Sequence, residues 1–234
     1  MSKWPELPFE EWSDTAGTLH MWTQIVGKIR LAQGPWINHS WGVSLYVTPR
    51  GLTTSTMPYG EGTFQIDVDF IDHRLLIYVS DGQSRQLSLE PRTTADFYTE
   101  LMAQLRDLDL AVDISARPNE VEPAIPFAQD KVHASYDPAA VHRFWQVLVS
   151  VDQVFRRFRA GFLGKSSPSH FFWGHRVASR FALGFGVYNP FGLTTEWENP
   201  ESFTGRFIST KASIRPFYFN PAAAMAITPE LRLG

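Results

Sequence analysis

Apolar side chains recur every three to four residues in three segments of the chain, and this period predicts three amphipathic helices. The first helix is expected over about residues 9–32, and the second begins after Thr93, which has Asp96 three positions later in a capping-box arrangement. The third should follow Asp137 as its N-cap and end at Gly164. The predicted buried stripe of the first helix consists of Trp12, Ala16, Leu19, Thr23, Val26 and Ile29. That of the third consists of Val141, Trp145, Leu148, Val151, Phe155, Phe158 and Phe162.

Alternation of apolar and polar residues predicts strands between the first two helices, because side chains in a strand point to opposite faces in turn. Phe64, Ile66, Val68 and Phe70 should share the buried face of one strand. A tight turn near Asp72 and His73, and a type I′ turn at Asp81 and Gly82, would make neighbouring strands antiparallel. The predicted strands lie near residues 40–48, 63–71, 74–80 and 85–90. We therefore expect an α+β fold, an antiparallel β-sheet of four to six strands packed against two or three helices.

The remaining segments are less regular. AVDIS, after the second helix, and HFFWG, after the third, each predict a short strand, and a loop rich in proline and acidic residues separates the second helix from the third. Beyond Val177, frequent Gly, Pro and Phe without a sustained period predict loops with short strands at best. The expected organisation is a single α+β domain over residues 1–176 and an irregular C-terminal extension over residues 177–234.

Composition narrows the class of protein. The 234 residues are 44% hydrophobic, which is enough for one substantial core. A net charge of −3 with interleaved acidic and basic residues argues against nucleic acid or a membrane surface as a partner. The absence of cysteine excludes disulfides, thiolate metal sites and cysteine nucleophiles. Without a secretory-type N-terminus or an apolar run of ~18 residues, the sequence predicts a cytoplasmic protein.

Strong catalytic motifs are absent: the sequence has no glycine-rich phosphate loop, no His-Glu-x-x-His, no Gly-x-Ser-x-Gly and no EF-hand. The sequence therefore indicates no metal site and leaves any cofactor unknown, and whether the protein is an enzyme stays open. Polar side chains near the ends of elements remain as candidate ligand contacts. They are Lys28, Arg30, Asn38, His39, Arg50, His133, Tyr136, Lys165, Ser167, His170 and Trp173.

Each candidate also has a structural interpretation. Cations such as Lys28 and Arg30 are favoured at a helix C-terminus by the helix dipole, so they form either a solvated basic end or an anion clamp. Asn38 and His39 suit a turn as well as a ligand contact. The segment GKSSPSHFFWGH is either a helix end with a turn or a polar binding loop, and Ser-His catalysis there lacks an orienting third group.

Three further polar groups have alternative interpretations. Asp67 and Asp69 could hold a hard metal ion, although alternating acids usually form the solvated face of a strand. A histidine metal site drawn from His39, His133 and His170 has no local spacing to support it. His73 and His142 are expected to be ordinary surface residues.

Five segments resemble, in order, the signature blocks of a bacterial family, domain of unknown function 5996. They are LPFEEWSDTAGTLHMWTQIVGKIRLAQGPWINHSW, LYVTPRGLTTSTMPYG, DFIDHRLLI, HASYDP and SPSHFFWG, and together they cover about residues 7–175. The resemblance implies membership of that family and brings no established activity, substrate or cofactor. After the last block the chain reads HRVASRFALGFG, which departs from the family's longer tail. The extension is therefore either divergent or the product of a shifted reading frame.

Two classes of function follow. The first is a soluble protein that binds or acts on a small polar or anionic molecule in a pocket lined by His, Lys, Arg and Trp. In this class His170 and Lys165 should share one pocket with His39 and Lys28. The alternative is a non-catalytic protein-interaction or structural module whose exposed aromatic residues form an interface.

Overall fold

The computed structural model describes residues 4–36, 42–119, 121–161 and 168–171 with their side chains. It also describes the backbone of strands over residues 181–188, 193–196, 211–214, 218–226 and 232–233. The chain forms two compact units, Met1–Trp173 and Gly174–Gly234.

The first helix, α1, spans Phe9–Gln33. All six residues of its predicted stripe are buried, and so are Met21, Trp22 and Ile25, which lie outside that stripe. Burial on most sides of a helix is typical of an element surrounded by other layers. The helix ends where the Gly34 N–H donates to the Arg30 carbonyl at 2.9 Å, one residue before Pro35.

One antiparallel sheet lies in the first unit, as predicted, in the order β1-β2-β4-β5-β6 with β3 paired to β4. The predicted face of β4 and the residue after it is confirmed, because Phe64, Ile66, Val68 and Phe70 are all buried. The strands are β1 Tyr46–Val47, β2 Gly51–Thr53, β3 Met57–Tyr59, β4 Gly62–Asp69, β5 Arg74–Val79 and β6 Ser84–Ser88.

Strands β2 and β3 pair with successive parts of β4 and are not predicted by the alternation of residues. They are separated near Thr54, whose Oγ1 accepts a hydrogen bond from the Ile66 N–H at 3.0 Å. The next residue, Ser55, has φ 53°, a left-handed conformation that breaks the strand. Pro58 within β3 further hides the pattern, since proline is unusual in a strand.

Other parts of the predicted sheet differ in detail. The first strand is only two residues long, and AVDIS forms no strand. The turn after β5 joins β5 to β6 as predicted, but Gly82 has φ 94° whereas Asp81 is not left-handed, so the turn is not type I′. The HFFWG segment contributes a single bridge between Phe171 and Leu45 within its described part.

Helices α2, Thr94–Asp107, and α3, Pro138–Ala160, begin at the predicted caps. Thr93 Oγ1 accepts from the Asp96 N–H at 3.0 Å, and the Asp137 carboxylate accepts from the Ala139 N–H at 2.9 Å. The C-terminus of α3 is capped by Gly161, earlier than the predicted Gly164.

The predicted stripe of α3 is buried only in its first half. Val141 is fully buried and Trp145 and Leu148 are partly buried against the core. Phe155 and Phe158 are instead 56% and 86% exposed. Their period predicts a shared face correctly, but the prediction that this face is buried is wrong, because periodicity does not show where the neighbouring layer ends.

The core is centred on Trp22 of α1, which stacks on Phe97 of α2 with ring centroids 4.5 Å apart. On its other side Trp22 stacks on Tyr136 at 5.5 Å. Between α2 and α3, a 3₁₀ turn at Phe127–Gln129 packs against α2 and buries Phe127. Helix α1 thus joins α2 to the segment that leads into α3.

The second unit contains strands where loops with short strands are predicted. Strand β10 pairs antiparallel with β7 and β11, and β8 pairs with β9. In β7 the large residues Phe181, Leu183, Phe185 and Val187 alternate with Ala and Gly and not with polar residues, so the pattern resembles an irregular Gly-rich segment. They are β7 Phe181–Tyr188, β8 Leu193–Glu196, β9 Lys211–Ile214, β10 Tyr218–Ala226 and β11 Arg232–Leu233.

Candidate functional site

Arg30 and His170, two of the predicted ligand contacts, lie together on Tyr46. The Arg30 guanidinium carbon is 4.8 Å from the centroid of the Tyr46 ring, and Nη2 donates to the Tyr46 hydroxyl at 3.2 Å. The His170 ring meets the same phenol edge-on, with centroids 5.9 Å apart. We call Arg30, Tyr46 and His170 the Tyr46 site.

Three distant segments build the Tyr46 site. Arg30 lies in the last turn of α1, and Tyr46 lies in β1. His170 is held beside β1 because the next residue, Phe171, exchanges two backbone hydrogen bonds with Leu45, at 2.7 and 3.2 Å. Arg30 is fixed in turn by Nη1, which donates to the Ser44 carbonyl.

The Tyr46 site carries positive charge. Burial lowers the pKa of His170, and the Arg30 guanidinium lowers it further because two positive charges repel. His170 is therefore neutral at pH 7, and Arg30 supplies the charge.

Lys28 lies in a different environment from Arg30. Its Nζ donates to Asn119 Oδ1 at 2.6 Å, in the loop after α2, and burial lowers the pKa of the Lys28 ammonium. Residues two apart on a helix point about 200° apart, so Lys28 and Arg30 diverge. Lys28 thus ties a loop to α1.

Gln24 and His20 continue the Lys28 face of α1. The Gln24 Oε1 accepts from the Asn119 N–H at 2.8 Å, and its Nε2 lies 2.9 Å from both the Asn119 carbonyl and His20 Nε2. Because the Gln24 oxygen is already an acceptor, its nitrogen donates and His20 Nε2 accepts. Burial, and the nearby His133, lower the pKa of His20 to about 4.

His133 pairs with a buried carboxylate. Its Nδ1 lies 2.7 Å from Asp130 Oδ2, and the Asp130 side chain is only 1% exposed. Asp130 Oδ1 also accepts from the N–H groups of Val132 and His133 at 3.0 and 3.2 Å. The carboxylate thereby fixes both the local backbone and the orientation of the imidazole.

Arg50 belongs to an ion-pair network at the turn between β4 and β5. Its Nε lies 2.6 Å from Asp69 Oδ2, and its Nη2 lies 2.7 Å from Asp72 Oδ2. Burial would raise the pKa of Asp69, but hydrogen bonds from Arg50 and from the N–H groups of Asp72 and Ile71 outweigh it and lower that pKa. Asp69 is therefore a buried ion-pair partner and does not form a solvated face with Asp67.

Tyr136 lies close to the same turn. Its hydroxyl is 2.9 Å from Nδ1 of His73, and burial together with the charge of Asp69 raises the pKa of Tyr136. His142 of α3 has Nδ1 3.3 Å from the Phe70 carbonyl. His73 and His142 are thus half-buried partners in the fold, and the expectation that they are ordinary surface residues is wrong.

The remaining candidates, Asn38, His39, Lys165, Ser167 and Trp173, lie outside the described residues. The pocket expected from Lys28, His39, Lys165 and His170 therefore stays a prediction. Among its described members, Lys28 contacts Asn119 and His170 contacts Tyr46.

One protein family matches most of the chain. The profile of a family described as "Family of unknown function (DUF5996)" matches residues 4–181. The chain belongs to this family. The match includes all segments of the Tyr46 site and the Asp130–His133 pair. No curated protein and no solved structure matches the chain significantly.

This DUF5996 chain shows two negative features within its described part. No group of three or more His, Cys, Asp or Glu side chains there could hold a metal ion. Among the described helices, none has both the length and the apolar character to cross a bilayer. An open depression of about 430 Å³ near α2 contains none of the predicted contacts and is lined by Glu90, Arg92, Asp96, Thr99, Glu100 and Ala103.

Several residues of these clusters are not singled out by the sequence. Asp130 precedes His133 by three positions, a spacing that allows local pairing and could have been recognised. Tyr46, His20 and Asn119 carry no such signal, because their partners are distant in sequence or belong to irregular loops.

Proposed function

We propose that this protein binds a small anionic or polar molecule at the Tyr46 site. The observation that carries the proposal is the convergence of Arg30 and His170, from segments about 140 residues apart, on one phenol ring. A guanidinium supplies a permanent charge and directional donors, and an aromatic ring supplies an apolar wall.

The half-buried position of the site strengthens interactions with an anion. Both Arg30 and His170 are partly shielded from solvent, where charges interact more strongly than in water. Trp36 lies three residues beyond the end of α1 and is 73% exposed, so it offers a further aromatic surface at this end of the helix. The proposed pocket would be completed by His39 and Lys165.

Binding should depend on pH through His170. Burial and Arg30 disfavour the imidazolium, whereas a bound anion would favour it, so binding would take up a proton. The affinity should therefore increase as the pH is lowered from about 7.5 to about 5.5.

The test is a thermal-shift and calorimetric titration with citrate and inorganic phosphate, with glycerol as an uncharged comparison. At least one anion should raise the Tm of the wild-type chain, and His170→Ala and Arg30→Met should each remove that response. Arg85→Met is the matched control, since Arg85 is exposed on β6 and donates to the neighbouring Ser84 carbonyl. An anion response that is equal in all variants, or absent from the wild type, would contradict the proposal.

A second candidate function is protein interaction through α3. Val154, Phe155 and Phe158 lie on one side of this helix and are 52%, 56% and 86% exposed. Large exposed apolar side chains in a cluster are typical of interaction surfaces. Sedimentation velocity of the wild type and of the double variant Phe155→Ser/Phe158→Ser tests this function. The function requires that the wild type self-associates or binds a partner and that the double substitution removes this binding.

A further inference from the structure

We propose that Asp130 and His133 form a carboxylate–imidazole dyad that acts as a general base on water or a hydroxyl group at the exposed edge of the His133 ring, beside Gly17 of α1. This activity is separate from anion binding at the Tyr46 site, and nothing in the proposed function requires it. The substrate class that fits is a small ester or another acyl compound that water can cleave.

The tautomer of His133 follows from its partner. Asp130 is fully buried and accepts backbone N–H bonds through Oδ1, so its Oδ2 needs a donor. His133 Nδ1 is 2.7 Å away and supplies the proton. The lone pair of the neutral imidazole therefore lies on Nε2, as in the orienting pair of acyl-transfer enzymes.

The Nε2 atom of His133 is available to a ligand. Within the described residues it receives no hydrogen bond, and 24% of the side chain is exposed although Asp130 beneath it is buried. A general base must reach the proton that it removes, and this imidazole edge meets that requirement.

Gly17 of α1 provides the space for the His133 ring. A Cβ at residue 17 would lie 3.3 Å from His133 Cδ2 and 3.9 Å from Nε2. Glycine inside a helix costs about 0.5–1 kcal/mol relative to alanine, so a close contact is a reason for its presence here. The contact fixes the ring over the surface of α1.

His20 lies one turn further along α1, close enough to His133 for the charges of the two rings to interact. Its Nε2 accepts the Gln24 amide, and the imidazole is neutral at pH 7. Among the described residues, the Asp130 carboxylate stabilises the His133 imidazolium that forms during catalysis. The His20 imidazole is neutral and therefore does not repel that imidazolium.

The proposed step balances as follows for p-nitrophenyl acetate, the probe used. His133 Nε2 takes a proton from water while the water oxygen bonds to the acetyl carbonyl carbon. The bond between that carbon and the p-nitrophenyl oxygen breaks, and the proton passes to the departing phenolate. The products are p-nitrophenol and acetic acid, which releases its remaining proton to the solvent and becomes acetate, and no oxidant or cofactor is involved.

The experiment compares hydrolysis of p-nitrophenyl acetate by the wild type, His133→Gln and Asp130→Asn. General-base catalysis contributes about 10²–10⁴-fold, so we expect each substitution to lower the protein-dependent rate by at least about tenfold. His142→Gln is the matched control, because His142 bonds to a backbone carbonyl and not to a carboxylate, and it should retain the rate within about twofold. A wild-type rate in His133→Gln overturns the proposal.

Asp130 is a positioning residue, and its role has a separate readout. That readout is the tautomer of His133 in the folded wild type, measured by long-range ¹H–¹⁵N NMR, which does not require a variant of the buried Asp130 to fold. A neutral His133 protonated on Nε2 overturns the dyad whether or not the variants fold.

Discussion

The hydroxyl of Tyr136 lies 2.9 Å from Nδ1 of His73, and the two rings meet at 80°. Because burial and Asp69 raise the pKa of Tyr136, the phenol keeps its proton while its hydroxyl is hydrogen-bonded to the His73 ring. This hydrogen bond connects the turn between β4 and β5 to the segment before α3. His73 itself has φ 50°, so the turn holds the residue in a left-handed conformation.

Replacing Tyr136 with Phe should lower the free energy of unfolding by about 0.5–1.5 kcal/mol, the usual net contribution of one hydrogen bond. The stacking on Trp22 would remain, since the ring is kept. Urea unfolding measures the change, and Tyr78→Phe at a largely exposed position is the control. Equal stability of Tyr136→Phe and wild type would show that the hydrogen bond contributes nothing.

Stability should fall as the pH is lowered from about 6.5 towards about 4 because of His20. The folded-state pKa of His20 is depressed, so the unfolded chain binds more protons and the stability present above the unfolded pKa is lost on acidification. His20→Gln should flatten this part of the pH profile in thermal unfolding, with His142→Gln as a control that also removes one histidine. An unchanged slope in His20→Gln would contradict this assignment.

Asp69→Asn should destabilise the fold more than Asp67→Asn, two positions earlier on β4. Asp69 is buried and accepts from Arg50 and two backbone N–H groups, whereas Asp67 is only half-buried and accepts from Gln65. We expect a loss of about 1–3 kcal/mol for Asp69→Asn and a smaller one for Asp67→Asn, measured by chemical denaturation. The reverse order would show that the network at this turn is not stabilising.

Trp22 offers a test of the core. Its Nε1 is buried and makes no hydrogen bond in the described part of the chain, so the indole acts through packing. Trp22→Ala should cost about 3–5 kcal/mol because it leaves a cavity between Phe97 and Tyr136. Trp22→Phe should cost clearly less, since it keeps an aromatic ring and loses no hydrogen bond. Similar losses in the two variants would contradict the packing interpretation.

Periodicity and capping residues predict the parts of the fold in which local and tertiary preferences agree. The stripe of α1, the face of β4 and the caps at Thr93 and Asp137 are of this kind. Strands β2 and β3 are not predicted because the chain is interrupted between them. At this interruption the Thr54 hydroxyl takes the place of a backbone carbonyl and accepts the hydrogen bond from the Ile66 N–H. The exposure of Phe158 depends on where the layer packed against α3 ends, which no local pattern encodes.

The candidate sites are predicted less completely than the fold. Arg30 and His170 are both identified as candidate contacts, but their meeting on Tyr46 depends on the backbone pairing of Leu45 with Phe171. Lys28 and Arg30 are both predicted as ligand contacts because they are cations in the last turns of α1. Helix geometry places them on different sides of α1, and Lys28 contacts Asn119. Residue type thus suggests the chemistry, whereas long-range pairing decides which residues share a site.

The burial of α1 has a consequence for synthesis on the ribosome. This helix is translated before its partners β3, α2 and α3, and the last of these begins at residue 138. At a translation rate of about 5–20 residues per second, the apolar surface of α1 would stay incompletely buried for roughly 5–20 s before synthesis of α3 begins. A ribosome stalled before α3 would therefore display a helix that cannot yet be fully buried.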